Sequence, residues 1–230
     1  KNGLRGDMTM DKENLVVSLE DSLTENLFDT VADLTEVGLD AVMDDGVLKE
    51  IPLLSTVAGI YKIGHTIKER HTIKQLALFV TELNKGCVDK NKKNRIIEKL
   101  NGNQQQSKQE IEYILVVLDS YLEYEKPKML AKLYMAYLEQ RIDWTQFSMY
   151  AAILRTLLSQ DVKILQGHDF NAGAIICMQM DSASWLRLLS AGFVYEQGVM
   201  RFNDDISKNH DLDVPYSITK FGQKFIDIVG

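Results

Sequence analysis

The chain has 230 residues, of which 45% are hydrophobic and 26% are charged, and its formal net charge is −7. This composition is ordinary for a globular protein that buries its own core, in one large domain or two small ones, without disulfide staples. The two cysteines, Cys87 and Cys177, show no metal-ligand spacing, which argues against a secreted disulfide framework and favours a reducing compartment. We therefore expect a cytoplasmic protein.

The first ten residues, KNGLRGDMTM, lack the uninterrupted apolar run of a signal peptide. A start at Met8 or Met10 would place the preceding residues outside the protein, so the first predicted region, an N-terminal helical one, covers residues 8–102. Apolar residues at helical spacing predict a long amphipathic helix from Asp11 to Val42. Its apolar stripe contains Val16, Leu19, Leu23, Leu27, Val31, Leu34 and Val42.

Charge is unevenly distributed along this region. Residues 1–50 carry thirteen acidic and four basic residues, whereas residues 62–99 carry ten basic and four acidic residues. We expect the acidic first helix to pack near the basic segment, and contact of that segment with anionic lipid or nucleic acid is the alternative. The candidate cations for an anionic surface are Lys62, Lys68, Arg70, Lys74, Lys90, Lys92, Lys93 and Arg95.

The stretch from Ile51 to Tyr61 is apolar and contains no charged residue in eleven positions. A helix that crosses a bilayer needs about 20 apolar residues, so we expect this segment to be buried in the protein core. The alternative is an element, within residues 51–64, that is buried at rest and enters a membrane on activation. The candidate membrane or partner-binding residues are Ile51, Pro52, Leu53, Leu54, Val57, Ile60 and Tyr61.

Helical patterns continue to residue 159. Pro52 is suited to the first turn of a helical region that runs to Gly86, and a short basic helix is expected over residues 89–100. The polar stretch 101–110, NGNQQQSKQE, predicts an exposed connection. Ser107 and Glu110 match a capping box, which predicts a helix from there to about residue 125.

The second predicted region, residues 107–159, reads as an antiparallel helical bundle. Pro127 begins another helix, and Asp143 and Gln146 cap a further one that runs through Leu158. Tyrosine and methionine residues at helical spacing favour a bundle core over a ligand pocket. They are Tyr113, Tyr121, Tyr124, Met129, Tyr134, Met135, Tyr137, Met149 and Tyr150.

The third predicted region, residues 160–230, combines helical patterns with a strand-like one. Helices are expected over 160–167 and from Ser182 to Ala191, followed by a hairpin that turns at Gln197-Gly198. A last amphipathic helix is expected in YSITKFGQKFIDIV. The fold class is therefore mainly α: a multi-helix bundle with a small, C-terminal, winged-helix-like unit containing a short β-hairpin.

Signatures of catalysis are missing from the sequence. No phosphate-binding glycine loop, nucleophile elbow or HExxH motif occurs, and His65, His71, His168 and His210 are scattered. The acidic pair Asp204-Asp205 has no nearby histidine, and YLEQRIDWTQF lacks the ligands of a calcium loop. We predict no enzyme activity, no metal and no cofactor.

Charge also argues against DNA binding by the winged-helix-like region. Residues 161–230 carry nine acidic and six basic residues, and the helix SASWLRLLSAG, which would enter the major groove, offers only Arg187. Packing against a protein is the favoured use of this unit.

The C-terminal residues carry a family resemblance. The helix WLRLLSAGFV ends in Leu-x-x-x-Gly before an apolar strand, and a Tyr-x-(Leu/Ile)-Thr-x-x-Gly pattern opens the last helix. The pattern residues are Tyr216, Ile218, Thr219 and Gly222. Over the last third of the chain, this order of signals resembles the Abi-alpha proteins, bacterial proteins linked by family to abortive infection against phage.

These features lead to one expectation with two alternatives. We expect a non-enzymatic bacterial protein that binds other macromolecules, with a protein partner favoured over nucleic acid and with homo-oligomers left open. The resemblance implies a role in phage defence. The alternatives are a membrane-acting effector that uses residues 51–64 and a winged-helix transcription regulator.

Overall fold

The computed structural model describes residues 7–24, 51–61, 66–86, 89–167, 182–196 and 216–230, with side chains from Leu15 onward in the first segment. These residues form a mainly helical protein with a two-stranded antiparallel sheet near the C-terminus, as predicted. The helices are α1 (Asp7–Thr24), α2 (Pro52–Tyr61), α3 (Ile67–Lys85), α4 (Lys90–Gly102), α5 (Gln104–Asp119), α6 (Lys126–Leu138), α7 (Trp144–Thr156), α8 (Ser159–Gly167), α9 (Ser182–Ser190) and α10 (Lys220–Val229). The strands are β1 (Val194–Glu196) and β2 (Tyr216–Ile218).

The chain divides into two compact units, residues 1–147 and 148–230, and the division falls within α7. The three regions predicted from the sequence, 8–102, 107–159 and 160–230, stay predictions, because compact packing does not test where independently folding regions begin.

In the first unit, α1 packs against α2 and also contacts α3, α4 and α5. Val16, Leu19 and Leu23 of the predicted stripe are buried on this face. The rest of the stripe, from Leu27 to Val42, lies outside the described residues. The expected approach of the acidic helix to the basic segment is confirmed, since α1 contacts both α3 and α4. Just beyond that segment, Asn101 Nδ2 at the end of α4 donates a hydrogen bond to Glu20 Oε2 (2.9 Å).

A capping box starts α3. The sequence predicted one at Ser107, for a later helix. Thr66 Oγ1 accepts from the Glu69 backbone N–H (3.2 Å), and Glu69 Oε2 accepts from the Thr66 N–H (3.0 Å). The helix ends at Gly86, as predicted. It packs most extensively against α6 and also contacts α5, so its largest contacts are with the predicted 107–159 bundle, beside smaller ones with α1 and α2.

The predicted connection within 101–110 is present and residues 101–106 are exposed, but it is much shorter than predicted, and the Ser107 capping box is wrong. Helix α4 runs to Gly102 and α5 begins at Gln104, which leaves Asn103 as the whole connection. The Asn103 side chain accepts from the Gln106 N–H (3.2 Å) and starts the helix four residues earlier than predicted, because asparagine caps as well as serine does. Ser107 is buried and donates to the Leu100 carbonyl oxygen (2.8 Å).

Helix α5 ends at Asp119 rather than near residue 125. Pro127 lies in the first turn of α6, and Asp143 Oδ1 accepts from the Gln146 N–H (2.7 Å) at the start of α7, so both predicted starts are confirmed. Between them Gln140 adopts a left-handed conformation (φ 61°), and the Arg141 N–H donates to the Ala136 carbonyl oxygen (2.9 Å). This Schellman-type cap ends α6 without a glycine.

In the second unit, β1 pairs with β2 in antiparallel register, with Val194 opposite Ile218 and Glu196 opposite Tyr216. The strand predicted after Gly192 is therefore confirmed, and its described partner is residues 216–218. The predicted turn at 197–198 lies outside the described residues.

The sequence placed residues 216–218 in the last helix, and this prediction is wrong. Thr219 Oγ1 accepts from the Gly222 N–H (2.9 Å), so α10 begins only at Lys220. An aromatic cluster fills the core beside α10, where the Tyr150 ring stacks on Phe221 with centroids 4.5 Å apart and the Phe193 ring lies 4.6 Å from that of Phe225.

Candidate functional site

Helix α2, the candidate membrane or partner-binding element, lies in the core of the first unit. Its side chains Leu53, Leu54 and Val57, and Ile51 just before it, are at most 1% exposed. Pro52 is partly exposed, and the side chains of Ile60 and Tyr61 lie outside the described residues. The expected burial is confirmed for the four apolar side chains, whereas their release to a membrane stays a prediction.

Hydroxyl groups of α1 hold α2 in place. Ser22 Oγ accepts from the Leu53 N–H (2.9 Å), which would otherwise be a free donor at the start of α2. Ser18 Oγ and Thr56 Oγ1 share a hydrogen bond (2.6 Å). The Ser22 carbonyl oxygen in turn accepts from Asn84 Nδ2 of α3 (2.8 Å).

Two of the candidate cations serve contacts between segments of the chain. Lys68 pairs with Asp119 of α5 (2.9 Å), and Lys92 pairs with Glu139 at the end of α6. Although partial burial opposes it, hydrogen bonds from Lys68 and Thr72 lower the pKa of the Asp119 carboxyl.

The other candidate cations differ in exposure. Arg70 and Arg95 are exposed, and Lys74 and Lys93 are partly buried. Lys62 and the Lys90 side chain lie outside the described residues.

In the second unit, Arg187 of α9 is engaged by a buried acid. Asp161 is fully buried, and its two oxygens accept from Arg187 Nε and Nη2, both at 2.7 Å. Asp161 Oδ2 also accepts from the Leu158 N–H (2.7 Å). Although desolvation opposes it, hydrogen bonds from Arg187 and the Leu158 backbone lower the pKa of Asp161. The only base of the predicted recognition helix therefore has an internal partner.

A groove of about 540 Å³ lies between α7 and α9 within this unit. It is lined by Ala152, Ile153, Thr156, Leu186, Arg187, Ser190 and Ala191. Leu186 is 57% exposed, and Met149, one turn before Ile153 on α7, is 49% exposed. The exposed residues of α9, namely Ala183, Leu186 and Ser190, carry no charge.

The tyrosine and methionine cluster is mostly core, as interpreted. Tyr121, Tyr134 and Tyr150 are at most 1% exposed. Met149 and Tyr124 are exceptions, because both are exposed. Sequence analysis missed the groove because helical spacing alone does not tell which apolar stripe is covered.

Of the four histidines, only His71 lies among the residues that the structure describes. His71 Nε2 donates to the Tyr121 carbonyl oxygen (2.7 Å), which fixes the turn after α5. No group of three metal-ligating side chains occurs among the residues described. His65, His168, His210 and the pair Asp204-Asp205 lie outside them.

Within the same described residues, no helix combines the length and the apolar character needed to cross a membrane.

Comparisons with protein-family models, with curated proteins and with solved structures gave no significant match.

Proposed function

We propose that the protein is a non-enzymatic bacterial binding protein that docks another protein in the groove between α7 and α9. One observation carries the proposal: the exposed side of α9 is uncharged and presents Leu186, while Arg187 is held by the buried Asp161. Large exposed apolar side chains beside a groove are typical of protein interaction sites.

The shape of the groove favours a helix as the docked element. Two helices form its walls, and small residues, Ala152 and Ala191, leave room along the groove for an incoming helix. A third helix could lay an apolar stripe along Leu186 and Ile153, which is the helix-in-groove mode of recognition. Arg155 is exposed one turn after Ala152 on α7, so a partner helix with acidic residues flanking its apolar face fits best.

A transcription regulator is a weaker hypothesis for the same unit. DNA affinity depends on cations that displace counterions from phosphates, and the bidentate pair with Asp161 already uses Arg187. Freeing this guanidinium for a phosphate would leave the Asp161 carboxylate buried without its charge partner, which is costly.

A role in phage defence rests on the resemblance of the C-terminal third to the Abi-alpha proteins. We propose that the partner bound in the groove links the protein to that defence. Loss of groove binding should then abolish protection against phage without unfolding the protein.

The test compares Leu186→Asp with Val116→Asp, a matched change at a 70% exposed position on α5. Each variant is expressed, in place of the wild type, in the bacterium that produces the protein. We expect Leu186→Asp to lose a stoichiometric co-purifying protein and to raise plaque counts, and Val116→Asp to change neither. Equal co-purification by both variants, or retention of the Leu186→Asp variant on duplex DNA at about 150 mM salt, would overturn the proposal.

A further inference from the structure

A polar cluster lies inside the first unit, where the ends of α4 and α6 meet α5. Glu110 of α5 is buried, and its Oε1 atom accepts from Tyr137 Oη (2.5 Å) and Gln106 Nε2 (2.9 Å). Lys99 Nζ of α4 lies 3.7 Å from the centroid of the Tyr137 ring and donates to the Tyr137 carbonyl oxygen (2.9 Å). Charged groups are costly to bury, so such a cluster in a helical core indicates more than packing.

The cluster continues to the surface through two cavities, both lined by Lys99 and Tyr137. The inner cavity has a volume of about 70 Å³ and polar walls that include Gln106 and Glu110. The outer cavity has a volume of about 370 Å³ and opens to solvent beside Arg141 and Trp144. A cavity of about 150 Å³ accepts a benzene ring, so only the outer cavity can hold an aromatic ligand.

The outer cavity offers an aromatic surface. The rings of Tyr137 and Trp144 lie edge to face with centroids 5.3 Å apart, and Trp144 is only partly buried. A ligand ring that packs against Trp144 would complete this arrangement, since aromatic pairs prefer such offset or edge-on contacts.

The acidic groups around the outer cavity already form ion pairs or accept hydrogen bonds within the protein. Glu139 is paired with Lys92 and with Arg141 Nε, and Asp143 accepts from the Gln146 N–H at the start of α7. Glu110 accepts two hydrogen bonds from its own neighbours. Partial burial lowers the pKa of the Lys99 amine, although the charge of Glu110 acts to raise it. An anion bound beside Lys99 would raise that pKa towards its ordinary value.

We propose that the outer cavity binds a small aromatic ligand that carries an anionic group, a carboxylate or a phosphate. The ring packs on Trp144 and Tyr137, and the anionic group pairs with Lys99, with Arg141 at the rim. This site lies in the first unit and does not depend on the proposed groove of the second.

The test uses ¹⁹F NMR of the full chain labelled with 5-fluorotryptophan. The two tryptophans, Trp144 and Trp185, give separate signals that Trp144→Phe assigns. The probes are a set of carboxylate- and phosphate-bearing aromatic fragments, each matched with a neutral isostere and with inorganic phosphate alone. Variants are Lys99→Met, Lys99→Arg and the control Lys163→Met, an exposed lysine of α8.

We expect anionic aromatic fragments to shift the Trp144 signal saturably and their neutral isosteres to bind about tenfold more weakly. Lys99→Met should abolish that preference, whereas Lys99→Arg and Lys163→Met should keep it, with unchanged circular dichroism in all three. The proposal is overturned if no anionic fragment shifts the signal at millimolar concentration. Equal binding of neutral isosteres, or a preference that survives Lys99→Met, also overturns it.

Discussion

Gly222 lies where α10 approaches the chain that enters β1. A Cβ atom at this position would lie 2.3 Å from the Phe193 carbonyl oxygen, so no side chain fits without moving the backbone. The neighbouring motif residues are equally structural, since Thr219 caps α10 and Tyr216 stacks on Trp185 with ring centroids 5.3 Å apart. Most of the pattern that carried the family resemblance is thus explained by packing, and it indicates a fold more strongly than a function.

Gly222→Ala should therefore destabilise the protein by about 2 kcal/mol or more, because the added methyl group overpacks a backbone contact. Urea unfolding followed by circular dichroism measures this loss. Gly167→Ala, at a position with nothing within 4 Å of the added Cβ, is the control and should leave the unfolding free energy nearly unchanged. An equal effect of the two substitutions would refute the close approach.

Asp161 gives the second unit a pH-dependent contribution to stability. Its pKa is lowered in the folded state, so its contribution is present above the unfolded pKa, about 4, and is lost as pH falls through the folded value. Asp161→Asn should cost about 2 kcal/mol or more near pH 7, since it breaks a bidentate pair, and the cost should shrink below about pH 4.

Urea unfolding of both proteins between pH 3 and pH 7 measures this difference. Asp119→Asn, at an exposed ion pair with Lys68, is the control and should cost less than about 1 kcal/mol. A cost of Asp161→Asn that stays constant across the pH range would contradict the ion-pair account.

At the scale of elements, helix ends with strong local signals were predictable and those set by distant contacts were not. Pro127 marks the start of α6 through its own backbone preference. Gly86 marks the end of α3 as predicted, although its backbone angles (φ −70°, ψ −14°) are ordinary right-handed ones. Residues 216–218 were assigned to a helix because the spacing of their apolar positions suits both a helix and a strand. Pairing with β1, which lies at least twenty positions earlier in the chain, makes them a strand.

Helix α2 depends on α1 for its first turn. Ser22→Ala should destabilise the protein by about 1–2 kcal/mol, because the buried Leu53 N–H loses its acceptor. Thermal unfolding is the measurement. Ser55→Ala, on the exposed side of the same helix, should be neutral or slightly stabilising, and a comparable loss there would contradict the cap.

At the scale of the whole molecule, the burial of α2 bears on the membrane hypothesis. Exposing Ile51, Leu53, Leu54 and Val57 would cost roughly 6–12 kcal/mol, which is comparable to the full stability of a domain. Release of this helix therefore needs a trigger that supplies such an energy.

Without a trigger, the protein should stay unbound in a flotation assay with anionic lipid vesicles. Ser22→Ala, which weakens the attachment of α2 without exposing it fully, should also stay unbound. If the wild type floats with the vesicles and Leu54→Asp abolishes this flotation, the result would instead support a membrane-acting effector.

The candidate groove was the part of the site least accessible from sequence. Leu186, which lines the groove, and Met149 carry the same apolar signal as buried neighbours, although both are exposed. The lack of a DNA-binding charge pattern was predictable, because it follows from composition alone. The ion pair between Arg187 and the buried Asp161 could be found only in the structure.

The most direct test of the binding-protein account is photocrosslinking in the cells that naturally produce the protein. A photoreactive phenylalanine analogue is placed at Leu186 or, as control, at Val116, both of which are exposed. The account predicts one discrete protein adduct at position 186 and none at position 116. Crosslinks from position 186 to nucleic acid, or the same adducts from both positions, would contradict it.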